Sequence, residues 1–297
     1  MYIEQAKKLK THPMLFLILP IAFIGLLAVN AVFSSGKDTK EVIRLFIERF
    51  GVNATFVLII APLSFGLLLV LFWSKVVMNQ SITSLTTSRK KIDWKRIFLS
   101  FSVWGLISIL MIAITLYFEP ENLKWNFNPE KFFIFLVLAL ILIPMQTSFE
   151  EYLFRGHLMQ GLGLLTNSRL IPLVVSSVIF GLMHIANPEV GKLGMIIMVY
   201  YIGTGFFLGI ITLMDEGLEL ALGFHAANNL IGALLVTADW TAFQTHSLFK
   251  DVSEPSSGFE IVLPIFIFFP LLLFIFTKVY KWNNWKEKLT GALQKTD

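Results

Sequence analysis

The 297-residue sequence contains no cysteine and little charge, and each shortage excludes a class of protein. Without cysteine there is no disulfide, no thiolate metal ligand and no cysteine nucleophile. Charged residues make up 15% of the chain, whereas hydrophobic residues make up 56% and the mean hydropathy is +0.72. A soluble domain of this length carries more charge, so the composition predicts an integral membrane protein.

Long apolar runs divide the chain into membrane-length segments. A hydrocarbon core of about 30 Å needs roughly 20 mainly apolar residues per spanning helix. These runs predict an all-α, polytopic transmembrane bundle of about eight spans. The predicted spans are 14–33, 55–73, 97–118, 132–149, 170–186, 195–214, 218–236 and 261–277.

Lysines and arginines between the spans set the predicted orientation. With the N-terminus inside, the inner loops hold twice as many Lys and Arg residues as the outer loops. Cytoplasmic loops carry this excess in membrane proteins, so both termini are predicted to be cytoplasmic. Because orientation accounts for the net charge of +4, no nucleic-acid partner is predicted. The lipid bilayer is the first expected partner.

Three regions are predicted along the chain. Residues 1–96 form an N-terminal helical part with a basic cytoplasmic linker, residues 97–280 form a second transmembrane bundle, and residues 281–297 form a basic cytoplasmic tail. Within residues 35–52, apolar side chains recur at helical spacing among charged ones, which predicts an amphipathic helix on the outer surface.

Polar residues within or bordering the apolar runs are concentrated on three segments. A charged or imidazole side chain inside a bilayer costs a few kcal/mol or more, so each is a functional hypothesis by default. These residues are Glu150, Glu151, Arg155, His184, Asn187, His225, Asn228 and Asn229. By contrast, His12, His157 and His246 are interpreted as surface residues, and Asp215, Glu216 and Glu219 as solvated loop residues or the start of the seventh span.

Spacing predicts how these groups pair. Glu151 and Arg155 are four residues apart and share a helix face, whereas Glu150 points about 100° away and is left for another partner. Glu150 precedes Asn167 by as many residues as His184 follows it. A helical hairpin turning near Asn167 therefore places Glu150 and His184 at one depth. This requires the Glu150 helix to run past Gly156, and a short fifth span that ends at Asn187-Pro188.

Two hydrolytic chemistries fit these residues. A carboxylate beside an imidazole can deprotonate a water, and the His225/Asn229 pair, four residues apart, can stabilise an oxyanion. Alternatively, Glu150, His184 and His225 would bind a divalent metal such as zinc, with the second Glu as the base. The same residues fit a metal-dependent and a metal-free mechanism equally well.

Three motifs occur in order on successive segments: E-E-x-x-x-R from Glu150, F-x-x-x-H from Phe180 and H-x-x-x-N from His225. This pattern, over residues 132–236, resembles the CPBP intramembrane protease family of CAAX prenyl endopeptidases and bacterial Abi-type bacteriocin-processing or immunity proteins.

The resemblance implies an endopeptidase that cleaves a membrane-associated or prenylated peptide or protein in a bacterial cell membrane. In it, Glu150 and His184 would activate water, while His225 and Asn229 would stabilise the oxyanion. Glu151 would complete the first motif, and Arg155 and Phe180 would support the site.

The sequence lacks the motifs of other classes of intramembrane protease. No H-E-x-x-H motif, no aspartate within a predicted span and no G-x-S-x-G turn occurs, so site-two, aspartyl and serine intramembrane proteases do not fit. Two alternatives stay open. One is a proton-coupled transporter in which Asn187-Pro188 opens a cavity. The other is a catalytically inactive scaffold or immunity protein.

Overall fold

A computed structural model describes residues 1–9, 11–33, 38–255 and 258–293. This part of the chain is a helical bundle, which confirms the predicted all-α class. Its α-helices are α1 (Leu15–Phe33), α2 (Thr39–Phe50), α3 (Val52–Phe72), α4 (Ile82–Thr86), α5 (Trp94–Phe118), α6 (Pro129–Glu151), α7 (Met159–Thr166), α8 (Leu170–Leu182), α9 (Pro188–Leu193), α10 (Ile196–Asp215), α11 (Glu219–Leu235), α12 (Phe269–Tyr280) and α13 (Trp285–Thr290).

Among the described residues, five helical stretches are long and apolar enough to cross a membrane: α1, Val52–Val77, α5, Pro129–Thr166 and α10. The second and fourth stretches each include a π-helical segment, Trp73–Val77 after α3 and Tyr152–Leu158 between α6 and α7. Two further apolar helices, α8 and Pro264–Tyr280, are shorter. The protein is therefore an integral membrane protein, while the count of eight spans and the side of the termini stay predictions.

The helix that carries Glu150 continues past Gly156 to Thr166, as the hairpin hypothesis required. The segment Tyr152–Leu158 widens the helix into π geometry without ending it. Asn167 then adopts a left-handed conformation and ends the helix.

The end of α8 differs from the prediction. This helix stops at Leu182, before Asn187-Pro188. Pro188 instead occupies the first position of α9, where its fixed φ and missing N–H are tolerated. The dipeptide therefore begins a helix.

Close packing of α8 against α10 depends on two glycines. A Cβ atom at Gly205 would lie 2.4 Å from the Ser177 carbonyl oxygen, and one at Gly181 would lie 2.4 Å from Ile202 Cγ1. Small residues let membrane helices approach in this way. The close approach brings the end of α8 beside the first half of α10, while α11 packs against both α5 and α6.

A small sheet is the exception to the helical architecture. β1 (Leu123–Trp125) pairs antiparallel with β3 (Phe249–Asp251), which also pairs parallel with β2 (Val236–Thr237). The sheet ties the segment after α5 to the loop that follows α11.

The amphipathic helix is present as α2, and its Leu45, Phe46 and Phe50 side chains are exposed. Residues 35–37 of the predicted segment and residues 294–297 of the predicted tail lie outside the described residues.

Glu219 is the first residue of α11, which agrees with its interpretation as the start of the seventh span, but the solvated-loop interpretation of Asp215 and Glu219 is wrong. Both side chains are buried, and Arg89 Nη2 lies 3.2 Å from Asp215 Oδ2 and 2.7 Å from Glu219 Oε2. Arg96 pairs with Asp215 as well, and the Trp282 indole donates to it. These five residues, the Arg89 cluster, fasten the basic linker to the turn between α10 and α11.

The surface interpretation of His157 is also wrong. This side chain is fully buried, with Nε2 2.7 Å from Ser74 Oγ. The partner belongs to another helix, 83 residues away along the chain, so no local spacing announces it.

Candidate active site

A cavity of about 410 Å³ brings the predicted residues together. Glu150 from α6, Phe180 from α8, His225 and Asn229 from α11, and His184 just after α8 all line it. Its volume is within the range of small-molecule and peptide side-chain sites. Four of the five residues predicted to be catalytic therefore share one space.

Glu151 and Arg155 do not line the cavity but support it from behind. Both are fully buried, and Arg155 Nη1 lies 3.1 Å from Glu151 Oε1, which confirms the predicted pairing. Arg155 Nη2 also donates to the Gly205 carbonyl oxygen at 2.9 Å. The same Glu151 oxygen lies 2.8 Å from His225 Nδ1. The ion pair therefore fixes the orientation of the His225 ring.

Phe180 separates the charged support from the cavity. The Arg155 guanidinium lies 4.3 Å from the centre of its ring, a cation–π geometry. The same ring packs edge-on against His225, at 5.7 Å between centroids, and lies 5.3 Å from the ring of His184. Phe180 thus contacts the support and both histidines.

The orientation of His184 follows from its backbone partner. His184 Nδ1 lies 2.9 Å from the Phe180 carbonyl oxygen, which only accepts hydrogen bonds. Nδ1 therefore carries a proton, and Nε2 of the neutral ring is left as an acceptor. The ring stacks on Tyr201 of α10 at 4.5 Å between centroids and 21° between planes.

Glu150 has one held oxygen and one open oxygen. Oε1 accepts a hydrogen bond from Gln146 Nε2, one helical turn earlier on α6. Oε2 has no hydrogen-bond partner among the described residues, and the nearest imidazole nitrogen, His225 Nε2, is 3.7 Å away. Glu150 and His184, predicted to lie at one depth, form no direct hydrogen bond or ion pair within the described part of the chain, but both line the same cavity.

A chain of hydrogen bonds connects Trp104 to Glu150. Trp104 Nε1 donates to Asn228 Oδ1 at 3.1 Å, and Asn228 Nδ2 donates to Asn229 Oδ1 at 3.1 Å. Asn229 Nδ2 then donates to Gln146 Oε1 at 3.2 Å, and Gln146 donates to Glu150. An indole only donates and a carboxylate only accepts, so the two ends fix the direction of every amide between them.

Sequence reasoning missed Gln146, Trp104, Tyr201 and Glu189. Gln146 lies four residues before Glu150, so its helical spacing could have identified it. Tyr201 and Glu189 reach the cavity from α10 and α9, and no spacing within their own segments signals that contact.

The proposed metal ligands do not form a metal site in this arrangement. Within the part of the chain that the structure describes, no three His, Asp or Glu side chains are grouped so as to hold one ion. Glu150, His184 and His225 share the cavity without converging on a point.

Comparison with known proteins identifies the region that contains this site. Residues 129–231 match the family model described as type II CAAX prenyl endopeptidase, Rce1-like. The chain is also 32% identical over 164 residues to the Bacillus subtilis (strain 168) protein called Uncharacterized protein YyaK. That alignment covers 55% of this chain, which spans 55% of the length of YyaK. No solved structure matches.

The matched region includes the residues of all three motifs and the whole of α6, α8 and α10, and it ends within α11. The predicted resemblance, placed over residues 132–236, is confirmed. Over residues 129–231 the chain is similar to the type II CAAX prenyl endopeptidase, Rce1-like family.

Proposed function

We propose that the protein is an intramembrane endopeptidase that hydrolyses a peptide bond of a membrane-associated peptide or protein, including prenylated ones, in a bacterial cell membrane. One observation carries the proposal: Glu150, His184, His225 and Asn229 line a single cavity within the family-matched region. All four residues belong to the three sequence motifs.

Two acceptors are available for the nucleophilic water. Glu150 Oε2 has no hydrogen-bond partner among the described residues, His184 Nε2 is left as an acceptor, and both side chains line the cavity. A water between them donates one hydrogen to each and directs a lone pair at the substrate carbonyl carbon. As the C–O bond forms, Glu150 takes the proton, and it returns this proton to the leaving amine when the C–N bond breaks.

His225 and Asn229 are the hydrogen-bond donors to the oxyanion that develops on the substrate carbonyl oxygen. In the proposed reaction His225 keeps its contact with Glu151 through Nδ1 and donates a hydrogen bond from Nε2 to the developing oxyanion. Asn229 holds Gln146 with one N–H and has a second N–H on the same nitrogen. Prearranged donors of this kind stabilise the tetrahedral intermediate.

The supporting residues act through these four. Glu151, held by Arg155, orients His225. Gln146 holds both Glu150, the base, and Asn229, the oxyanion donor. We assign Glu151, Arg155 and Gln146 as positioning residues.

Apolar side chains from the N-terminal helices complete the cavity. Phe23 and Leu27 of α1 and Ile59 and Leu63 of α3 line it beside the polar residues. An apolar wall next to the reacting groups suits a substrate that is itself lipid-embedded or lipid-modified.

The test is peptide cleavage by purified protein in liposomes. Wild type, Glu150→Gln and His184→Ala are incubated with a synthetic peptide library that includes prenylated members, and products are identified by mass spectrometry. Both variants are expected to lose activity by about a hundredfold or more. Glu130→Gln, an exposed acid on the same helix, is the control and is expected to cleave at the wild-type rate.

Persisting cleavage in Glu150→Gln would refute the assignment. If the folded wild type binds library peptides but cleaves none, the inactive-scaffold alternative replaces the protease. Proton-dependent uptake of a solute into the liposomes would favour the transporter.

A further inference from the structure

One carboxylate in the cavity has no part in the proposed reaction. Glu189, in the first turn of α9, lines the same cavity as Glu150 and His184. Its Oε1 accepts the Ala242 backbone N–H at 2.9 Å, which fixes the side chain between α9 and the loop that follows α11. Its Oε2 is inaccessible and has no hydrogen-bond partner among the described residues.

No Lys or Arg among the described residues forms an ion pair with Glu189. In the part of the chain that the structure describes, the cavity lining includes no Lys or Arg, and Glu189 forms no ion pair. The buried cation nearest to the catalytic residues, Arg155, is already bonded to Glu151 and Gly205. A carboxylate in this setting is costly unless a partner arrives from outside.

Burial raises the pKa of Glu189, and the hydrogen bond from the Ala242 N–H opposes this only in part. A cation beside the free oxygen would favour the ionised carboxylate and remove the penalty. The desolvated, singly bonded carboxylate thus has the properties of an unfilled ion-pair site.

The surroundings place this carboxylate near the reacting groups. The Tyr201 ring stacks on His184, and its hydroxyl lies 3.5 Å from Asn187 Nδ2, two residues before Glu189. Tyr200 and Tyr201 both line the cavity. Aromatic faces add cation–π attraction for an alkylammonium or guanidinium group.

We propose that the α9 end of the cavity is a subsite for a cationic side chain, Lys or Arg, of the substrate, with Glu189 as its ion-pair partner. This inference rests on the proposed protease function, because it selects substrates for that same site. It assigns the protein a preference for a basic residue at one fixed position relative to the cleaved bond.

The test compares peptides that differ at one residue. A synthetic peptide library carries Lys, Arg, norleucine or Glu at each position around the scissile bond, and wild type, Glu189→Gln and Glu189→Lys digest it in liposomes. Wild type is expected to favour Lys or Arg over norleucine by about tenfold at one position, equivalent to about 1.4 kcal/mol. Glu189→Gln is expected to reduce this ratio to near one, and Glu189→Lys to favour Glu at the same position.

A second measurement does not depend on turnover. Binding of matched Lys and norleucine peptides to Glu150→Gln and to the double variant Glu150→Gln/Glu189→Gln is followed by fluorescence anisotropy. The Lys peptide is expected to bind about tenfold more tightly only when Glu189 is present. The double variant Glu150→Gln/Glu130→Gln is the charge-matched control and is expected to keep the preference.

The outcomes separate the two proposals. Cleavage by the wild type without a preference for cations, or a preference that survives Glu189→Gln, overturns the subsite but leaves the protease standing. Failure of the wild type to cleave any peptide contradicts the proposed function, and the binding experiment then still decides whether Glu189 recognises a cation.

Discussion

The Arg89 cluster and the cavity both contain acids with buried oxygens, and the two regions bond these acids in opposite ways. In the Arg89 cluster, all four oxygens of Asp215 and Glu219 have partners among Arg89, Arg96, Trp282 and the Asp93 backbone N–H. In the cavity, Glu150 and Glu189 each have one oxygen held and one without a hydrogen-bond partner among the described residues.

Among these four acids, the difference matches a structural role for Asp215 and Glu219 and the roles proposed for Glu150 and Glu189. A fully bonded acid contributes fixed geometry and has no lone pair to spare, whereas a half-bonded acid is positioned yet open to a ligand. The pKa of Arg89 also reflects the full pairing in this cluster. Burial alone would lower the pKa of Arg89, but its hydrogen bond to Glu219 and the charges of Glu219, Asp215 and Asp93 raise it above its ordinary value.

The largest effect on stability is expected from removing an ion pair of the Arg89 cluster. Glu219→Gln removes one charge from beside Arg89 and should lower the free energy of unfolding by about 3 kcal/mol, near the low end for buried pairs. The low end applies because 26% of the Arg89 side chain is exposed. Chemical denaturation in detergent measures the change, and the rate of peptide cleavage per folded molecule should be unaltered.

Its control is Glu41→Gln, which breaks an exposed ion pair with Arg44 on α2. Solvent screens this pair, so no measurable change in stability is expected. A variant at Glu219 that stayed as stable as wild type but lost cleavage would contradict the division between the two regions.

The sequence predicted those features of the site that depend on one helix. The spacing of Glu151 and Arg155 indicated their ion pair, and the spacing of His225 and Asn229 indicated their shared face. The continuation of the Glu150 helix followed from the symmetry around Asn167.

Contacts between helices were beyond sequence reasoning. The bonds from Glu151 to His225 and from Gln146 to Asn229 depend on the rotation and depth of α6 relative to α11. Arg89 and Glu219 are 130 residues apart in the chain, so nothing local distinguishes Glu219 from a solvated loop acid.

A smaller effect, on activity and not on stability, is expected from removing a positioning residue of the cavity. Gln146→Met removes hydrogen bonds to Glu150 and Asn229 at nearly constant side-chain volume. Hydrogen bonds to charged groups contribute about 1.5–3 kcal/mol, so kcat should fall by roughly tenfold to a hundredfold. KM should change little, because Gln146 acts through the catalytic groups.

Gln160 provides the matched control on the same continuous helix. It is also buried and bonded to an amide side chain, that of Gln80 at 3.0 Å, but it lies outside the cavity lining. Gln160→Met should therefore reduce thermal stability by a similar amount while kcat stays at the wild-type value. Equal losses of kcat in the two variants would show that Gln146 contributes only to packing.

The smallest effect on kcat is expected from removing an uncharged stacking contact in the cavity. Tyr201→Leu removes the ring that stacks on His184, an interaction of about 0.5–1.5 kcal/mol, so kcat should fall by about twofold to tenfold. Tyr201→Phe keeps the ring and loses only the hydroxyl that Asn187 contacts, so its kcat should stay close to wild type. Steady-state cleavage by the two variants measures the difference. A larger loss of kcat in Tyr201→Phe than in Tyr201→Leu would mean that the hydroxyl takes part in the reaction. Tyr201 would then join Glu150 and His184 among the residues that contact the nucleophilic water.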